Sequence, residues 1–220
     1  MLQLTREGLV CSGQIERLRH SFEQTHVLRL PQLLHADLMR MISPRLEHCN
    51  WTSLCHGTIA REAAPDTPAP ANILNFVANT REFIDVARRI TQCSEISWFS
   101  GRVYRMVSAG DHYDSWHADL GTTHRDRLVG MSINLGLHSY QGGVFRLRDE
   151  TSGEILCELP NTGTGDAILF RISPALKHMV TAISGTEPKT AFAGWFQSGN
   201  TNFYRDVCRP ASARVEPPSL

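Results

Sequence analysis

The chain has 220 residues, 22 basic and 22 acidic side chains, and a hydrophobic share of 41%. That length suits a single domain with a sizeable core, and a formal charge of zero supplies no basic field for a nucleic-acid partner. No apolar run approaches the roughly 20 residues of a membrane helix, and the opening MLQLTREGLV lacks the basic and apolar regions of a secretory signal. Six cysteines (Cys11, Cys49, Cys55, Cys93, Cys157 and Cys208) stand without C-x-x-C spacing. Reduced thiols and a cytoplasmic location are therefore expected.

The first part of the chain reads as helical. From Gln14 to Phe22 the apolar residues Ile15, Leu18 and Phe22 keep helical spacing, and Val27-Leu28-Arg29-Leu30-Pro31 reads as a strand. Ala36 to His48 carries Leu38, Met39, Ile42 and Leu46 on one side, with a kink or early end expected at Ser43-Pro44. His48, Cys49, Cys55 and His56 surround Trp51, an arrangement read as coincidence in a loop ahead of a metal cluster. Between Cys49 and Asn75 the prolines Pro65, Pro68 and Pro70 predict a long loop. Loops of that length in compact domains are functional or disordered, so Gly57 to Ala71 is the expected substrate lid. Its Arg61 is either a solvated arginine or a contact for an anionic group. Thr80 to Cys93 predicts an amphipathic helix, with Thr80 as N-cap and Glu82 in the first turn.

Strands dominate the second part. Tyr104 to Val107 is β-prone, Gly110-Asp111 marks a turn, and Leu128 to Leu137 is a mostly apolar run. A turn at Gln141-Gly142-Gly143 precedes a strand from Val144 to Arg148, and Gly163 to Asp166 precedes Ala167 to Arg171. Lys177 to Val180 and Lys189 to Phe196 complete the set. In the last strand Lys189, Ala191, Ala193 and Trp195 share one face by alternation.

His117-Ala118-Asp119 and the later His178 carry the chemistry. In a strand, residues i and i+2 address one side, so His117 and Asp119 can reach one ion, with His178 joining them only in a folded sheet. Two imidazoles and a carboxylate hold one face of a metal and leave the opposite positions open, as in non-haem Fe(II) oxygenases. Lys189 then holds the far end of a dicarboxylate co-substrate chelating the metal, the alternative being an exposed strand lysine.

These residues come in a family order. Tyr113 precedes His117-x-Asp119, and Tyr140-Gln141-Gly142-Gly143-Val144 and Gly165-Asp166-Ala167-Ile168-Leu169-Phe170 follow. His178-x-Val180 and Gly185-x-x-x-Lys189 come next, six residues ahead of Trp195-Phe196. From about Arg102 to Phe196 the chain resembles the Fe(II)- and 2-oxoglutarate-dependent dioxygenases, closest to their prolyl-4-hydroxylase-like branch. The resemblance implies a mainly β fold with flanking helices, a double-stranded β-helix (jelly roll). It implies one domain over 1–208, with a helical part at 1–95 and a core at about 96–200; the tail RPASARVEPPSL at 209–220 is itself expected to be mobile.

The resemblance also implies roles. His117, Asp119 and His178 become iron ligands, and Lys189 pairs with the distal carboxylate of 2-oxoglutarate. Tyr104 is the tyrosine that touches the same carboxylate, unless Arg105 or Met106 takes its place. Asn134 is a further polar contact or simply a strand residue. The implied cofactors are Fe(II), 2-oxoglutarate as co-substrate and O2, and the implied reaction is hydroxylation with release of succinate and carbon dioxide. Desaturation and ring formation stay open. A small molecule or free amino acid is the expected substrate, with a peptidyl substrate as runner-up and neither nucleic acid nor membrane as partner. A non-redox metal-binding jelly roll or a sensor is the competing class; imidazole and carboxylate also suit zinc.

Overall fold

In the computed structural model, residues 1–13, 15–108, 111–120 and 124–199 are described; the expected tail at 209–220 lies outside them, as do Gly110 and Cys208. The chain begins with a hairpin, β1 (Leu2–Thr5) and β2 (Gly8–Cys11), followed by α1 (Ile15–Thr25), β3 (Val27–Leu30) and α2 (Ala36–Glu47). Next come β4 (Trp51–His56), β5 (Ala60–Pro65), α3 (Ala69–Ala78) and α4 (Arg81–Thr91). The strands β6 (Trp98–Met106), β7 (Tyr113–Asp114), β8 (Arg127–Asn134), β9 (Gln141–Gly142) and β10 (Phe145–Asp149) follow. The last are β11 (Ile155–Leu159), β12 (Ala167–Arg171), β13 (Leu176–Val180), β14 (Ile183–Ser184) and β15 (Lys189–Gln197).

One large antiparallel sheet runs in the order β3-β12-β8-β15-β6-β5-β4, with β7 beside β5. Against it stand β11-β10-β13 and the short pair β14-β9. This is a jelly roll, mainly β, with four flanking helices among the described residues. Alternation divides the large sheet between two environments. Phe99, Val103, Val129, Ile133, Phe192 and Phe196 belong to the core that also takes in Phe22, Leu38, Ile42, Leu74, Phe83 and Ile90 from the helices. The opposite face, with Arg102, Tyr104 and Met106 of β6, lines the space between the sheets.

Glycines set the closest approaches. Gly194 of β15 faces Gly101 of β6, and a Cβ on Gly194 would sit 1.9 Å from the Ser100 carbonyl oxygen. Gly165 has φ +79°, and a Cβ there would lie 2.3 Å from the Leu34 carbonyl oxygen. Beside it the buried Asp166 accepts from Arg29 Nη2 at 2.7 Å and from the Gln32 amide at 2.9 Å. The Gly165-Asp166 motif thus ties the start of the fold to β12.

Two sequence expectations require correction. The long loop expected between Cys49 and Asn75, with its lid at Gly57 to Ala71, is instead a β-hairpin followed by the first part of a helix. β4 and β5 pair from Trp51↔Pro65 to His56↔Ala60, and β5 joins the sheet through Ala63↔Arg105 and Ala60↔Asp114. Most of β4 is exposed, so its sequence has no apolar alternation to read. Pro65 ends β5, and Pro68 and Pro70 sit at the start of α3, where a missing N–H costs no helical bond. Pro44 does not end α2, which continues to Glu47. Buried Leu38, Met39, Ile42 and Leu46 hold that helix, and the carbonyl freed at i−4 belongs to exposed Arg40.

Thr80 stands at the N-cap of α4, but its hydroxyl donates back to the Val77 carbonyl and makes no cap bond. The more consequential side-chain bonds come from α3. Asn75 donates to the Gly101 carbonyl and accepts from its amide, both at 2.8 Å; Asn79 does the same with Phe99. The two asparagines, one helical turn apart, satisfy the free edge of β6 as a neighbouring strand would. Asn75→Ala orphans both Gly101 groups and is expected to cost about 1–3 kcal/mol for each group left without a partner. Urea unfolding checks this; an unchanged midpoint would mean that water replaces the amide.

Candidate metal centre and its cavity

The ligand set is assembled from two elements that meet through the backbone. His117 and His178 form an isolated antiparallel bridge in which the His117 amide donates to the His178 carbonyl at 3.0 Å and the reverse bond is 2.9 Å. That pairing sets the two imidazoles side by side, with ring centroids 4.3 Å apart. Phe170 and Phe145 pack on His178, at 4.5 and 5.9 Å between centroids.

Asp119 reaches the same point by a different route from the one the spacing suggests. Its backbone is left-handed, with φ 56°, and lies in a bend outside any strand. The bend brings Oδ1 to 3.4 Å from His117 Nε2 and Oδ2 to 3.2 Å from His178 Nε2. Strand alternation therefore does not explain the His-x-Asp spacing here. Aspartate tolerates this conformation better than most residues.

Neighbouring groups fix the donors. His117 Nδ1 lies 2.7 Å from the Ser115 carbonyl, which holds the proton on Nδ1 and leaves the Nε2 lone pair for a metal. Trp195 Nε1 donates to Asp119 Oδ2 at 2.7 Å, and Arg127 Nη1 lies 3.8 Å from Oδ1 while its guanidinium stacks on Trp195. Burial by itself would raise the Asp119 carboxyl; the two imidazoles outweigh it and hold the group well below the usual carboxylate range. Burial opposes a charge on His117, yet Asp119 and then Asp114 lift it to about 9. Among the described residues these three ligand atoms, all within 4.8 Å of one another, form the one group of histidine, cysteine and acidic side chains able to hold a metal ion. The donor set fits a divalent cation in place of the shared proton.

The group lies in a cavity of about 660 Å³ between the sheets. Lys189, opposite Met106 across β15 and β6, is 3% exposed, and its Nζ meets the Gly143 carbonyl at 3.3 Å. Burial lowers its pKa to about 8, partly offset by Asp114. A buried ammonium with one acceptor among the described residues and an open cavity beside it suits an incoming carboxylate. Gly143 makes the space: a Cβ there would stand 3.2 Å from Lys189 Cδ and 2.7 Å from the Tyr140 ring.

Tyr104 also lines the cavity, and among the described residues its hydroxyl has no hydrogen-bond partner. Burial raises it above the usual phenol range, so it stays a neutral donor. Met106 shares that face, whereas Arg105 bonds Thr190 and stacks on Trp51 away from the cavity. Arg171 likewise reaches the Thr91 carbonyl on the outer face. Asn134 is not brought to the cavity: its amide donates to the Gly163 carbonyl and accepts from the Gly136 amide, so it serves the turns at the end of β8. Arg61 is paired with Asp111 at 2.8 Å. His48, Cys49 and His56 bond the Pro44 carbonyl, the Leu46 carbonyl and Glu62 respectively, and so do not converge.

Sequence reasoning missed Glu62. It is 4% exposed, lines the cavity from β5, and accepts from Arg102 Nε at 2.7 Å and Nη2 at 3.1 Å, with His56 Nε2 3.0 Å away. Burial raises its pKa, but Arg102 and His56 more than reverse this and keep it ionised. Forty residues separate the pair, so no local pattern announces it.

No protein-family model and no curated protein matches the chain. Solved structures do. A 2OG-Fe(II) oxygenase family oxidoreductase from Burkholderia pseudomallei is 14% identical with a TM-score of 0.61, over 86% of this chain and 93% of that one. A Pseudomonas putida prolyl-4-hydroxylase is 14% identical with a TM-score of 0.60, over 84% of this chain and all of that one. The epimerase SnoN, solved in complex with Fe3+, alpha ketoglutarate and nogalamycin RO, is 12% identical with a TM-score of 0.59, over 92% of each chain. The chain thus has the fold of the 2-oxoglutarate and Fe(II) oxygenases.

The second-sphere contact gives a specific expectation. Trp195→Phe keeps the ring but removes the donor to Asp119, and is expected to weaken Co(II) uptake about 10–100-fold. Asp119→Ala is expected to abolish it. Titration followed by visible absorbance reads both, and wild-type affinity in Trp195→Phe would mean the indole does not orient the carboxylate.

Proposed function

We propose that this protein is an Fe(II)- and 2-oxoglutarate-dependent dioxygenase that hydroxylates an unactivated C–H bond of a small molecule or free amino acid. The observation that carries this reading is the shared cavity: it is lined by three convergent ligand side chains and by a buried lysine with room for a carboxylate. A non-redox metal site leaves Lys189 without a purpose. The fold neighbours support the oxygenase class, and SnoN in complex with nogalamycin RO supports a small molecule.

In this reading His117, Asp119 and His178 hold the iron, Lys189 receives the distal carboxylate of 2-oxoglutarate, and Tyr104 offers its hydroxyl beside it. Bound iron with 2-oxoglutarate and dioxygen supplies the oxidising power, one oxygen atom entering the substrate as the co-substrate becomes succinate and carbon dioxide. Ser115 keeps His117 in the ligating tautomer, and Trp195 keeps Asp119 in place. Phe145 and Phe170 shield His178, giving a dry, shaped wall. A fold neighbour, a prolyl hydroxylase solved in complex with a hypoxia inducible factor peptide fragment, supports a peptidyl substrate as the second reading.

Anaerobic reconstitution with Fe(II), then addition of 2-oxoglutarate and air, is expected to yield succinate. His117→Ala and His178→Ala are expected to yield none, and normal succinate from either would remove that residue from the ligand set. Lys189→Ala is expected to raise the KM for 2-oxoglutarate by a factor corresponding to about 2–5 kcal/mol, since the carboxylate loses its buried partner.

The pH dependence follows from the same lysine. Below pH 8 Lys189 is charged and attracts the dianion; above pH 8 it loses its proton in the empty site. The KM for 2-oxoglutarate is therefore expected to climb as pH rises through 8. Lys189→Arg keeps its charge and should flatten that climb. A flat wild-type profile would place the anchor elsewhere.

A further inference from the structure

Besides Lys189 and Arg127, the cavity is lined by a cationic group that the iron and co-substrate reading does not use. Arg102 faces it from β6, opposite Ala193 of β15. Ala193 and Lys189 are four residues apart, so the backbones carrying the two cations are separated by roughly 13 Å along the strands. A third of the Arg102 side-chain surface remains open.

The guanidinium has two edges able to grip a carboxylate. Glu62 occupies one, through Nε and Nη2. The other, made by Nη1 and the second hydrogen of Nη2, has no acceptor among the described residues. Glu62 is itself buried and steadied by His56, so the guanidinium plane is held rather than free to swing. Trp195 and Tyr104 lie beside it, with ring centroids 5.6 and 5.7 Å from Arg102 Cζ.

A pre-oriented fork with a free edge is a receptor for a planar two-oxygen anion. The rim is of a different character. Ile59, in the turn between β4 and β5, and Tyr113 on β7 line the cavity while remaining 45% and 37% exposed.

We propose that Arg102, set by Glu62 and His56, receives a carboxylate of the primary substrate, which is therefore an organic acid whose apolar body lies towards Ile59 and Tyr113. This rests on the oxygenase reading for the word substrate, but the binding site itself does not depend on turnover. Arg102 acts in specificity: it fixes which end of the molecule enters and so which carbon faces the metal ligands.

The test uses the full metal-free chain with 2-oxoglutarate present and matched probes: hexanoate and hexanamide, phenylacetate and phenylacetamide. Calorimetry is expected to show each acid binding about tenfold or more tightly than its amide, as a charge-assisted bidentate pair outweighs a neutral one. Arg102→Gln is expected to erase that preference and Lys189→Ala to keep it.

Arg102→Gln leaves Glu62 buried without its partner, a change that destabilises the fold, so Glu62→Gln/Arg102→Gln, a neutral hydrogen-bonded pair, is measured beside it. It too should lose the preference. Equal binding of acids and amides, no binding of either acid, or a preference that survives in the double variant would overturn the proposal. Succinate formation is scored separately. Turnover without acid preference removes only this inference, and acid preference without turnover removes the oxygenase reading.

Discussion

Two backbone hydrogen bonds between His117 and His178 are the constraint on which the site depends. They join the segment after β7 to β13, one strand of the smaller sheet, and so close that end of the jelly roll across the cavity. Residues that exchange both hydrogen bonds in an antiparallel bridge stand about 5.5 Å apart, so the pairing delivers two imidazoles to one point without further adjustment. The ligand geometry is thus a consequence of sheet closure. Any change that opens the two sheets separates the ligands as well.

The carboxylate is placed by other means. Asp119 leaves the extended conformation for the left-handed region, and its position is then held by Trp195 from β15. The same strand carries Lys189 at its start. One strand therefore orients a metal ligand at one end and offers an anion receptor at the other. The small residues Ala191, Ala193 and Gly194 between them keep the wall open and allow β6 to approach closely.

Around this wall the protein distributes its charges in pairs or leaves them facing the cavity. Glu62 and Arg102 are paired, and Asp119 is surrounded by imidazoles. Among the described residues the Lys189 ammonium donates to the Gly143 carbonyl and has no carboxylate partner. Buried charges without partners are costly, and such a cost is tolerated where a ligand relieves it. The hairpin of β4 and β5 contributes Glu62 and His56 to this arrangement, so it is part of the cavity wall as well as its rim.

Much of this was legible in the chain. Strands buried along most of their length, such as Ala167–Arg171 and Lys189–Gln197, declare themselves by apolar composition, and the order of His117, Asp119, His178 and Lys189 pointed to one class of chemistry. The helices with a continuous apolar side were equally readable. The hairpin from Trp51 to Pro65 was not, because a mostly exposed edge carries no pattern of burial. The left-handed Asp119, the Asn75 and Asn79 bonds to β6, and the Glu62–Arg102 pair were not legible either. Sequence by itself determined which residues carry the chemistry and which faces are apolar, since those are local properties of side chains. Only the tertiary structure decided which charges meet and which stay open, because that depends on distances between segments up to 137 residues apart, which sheet closure sets.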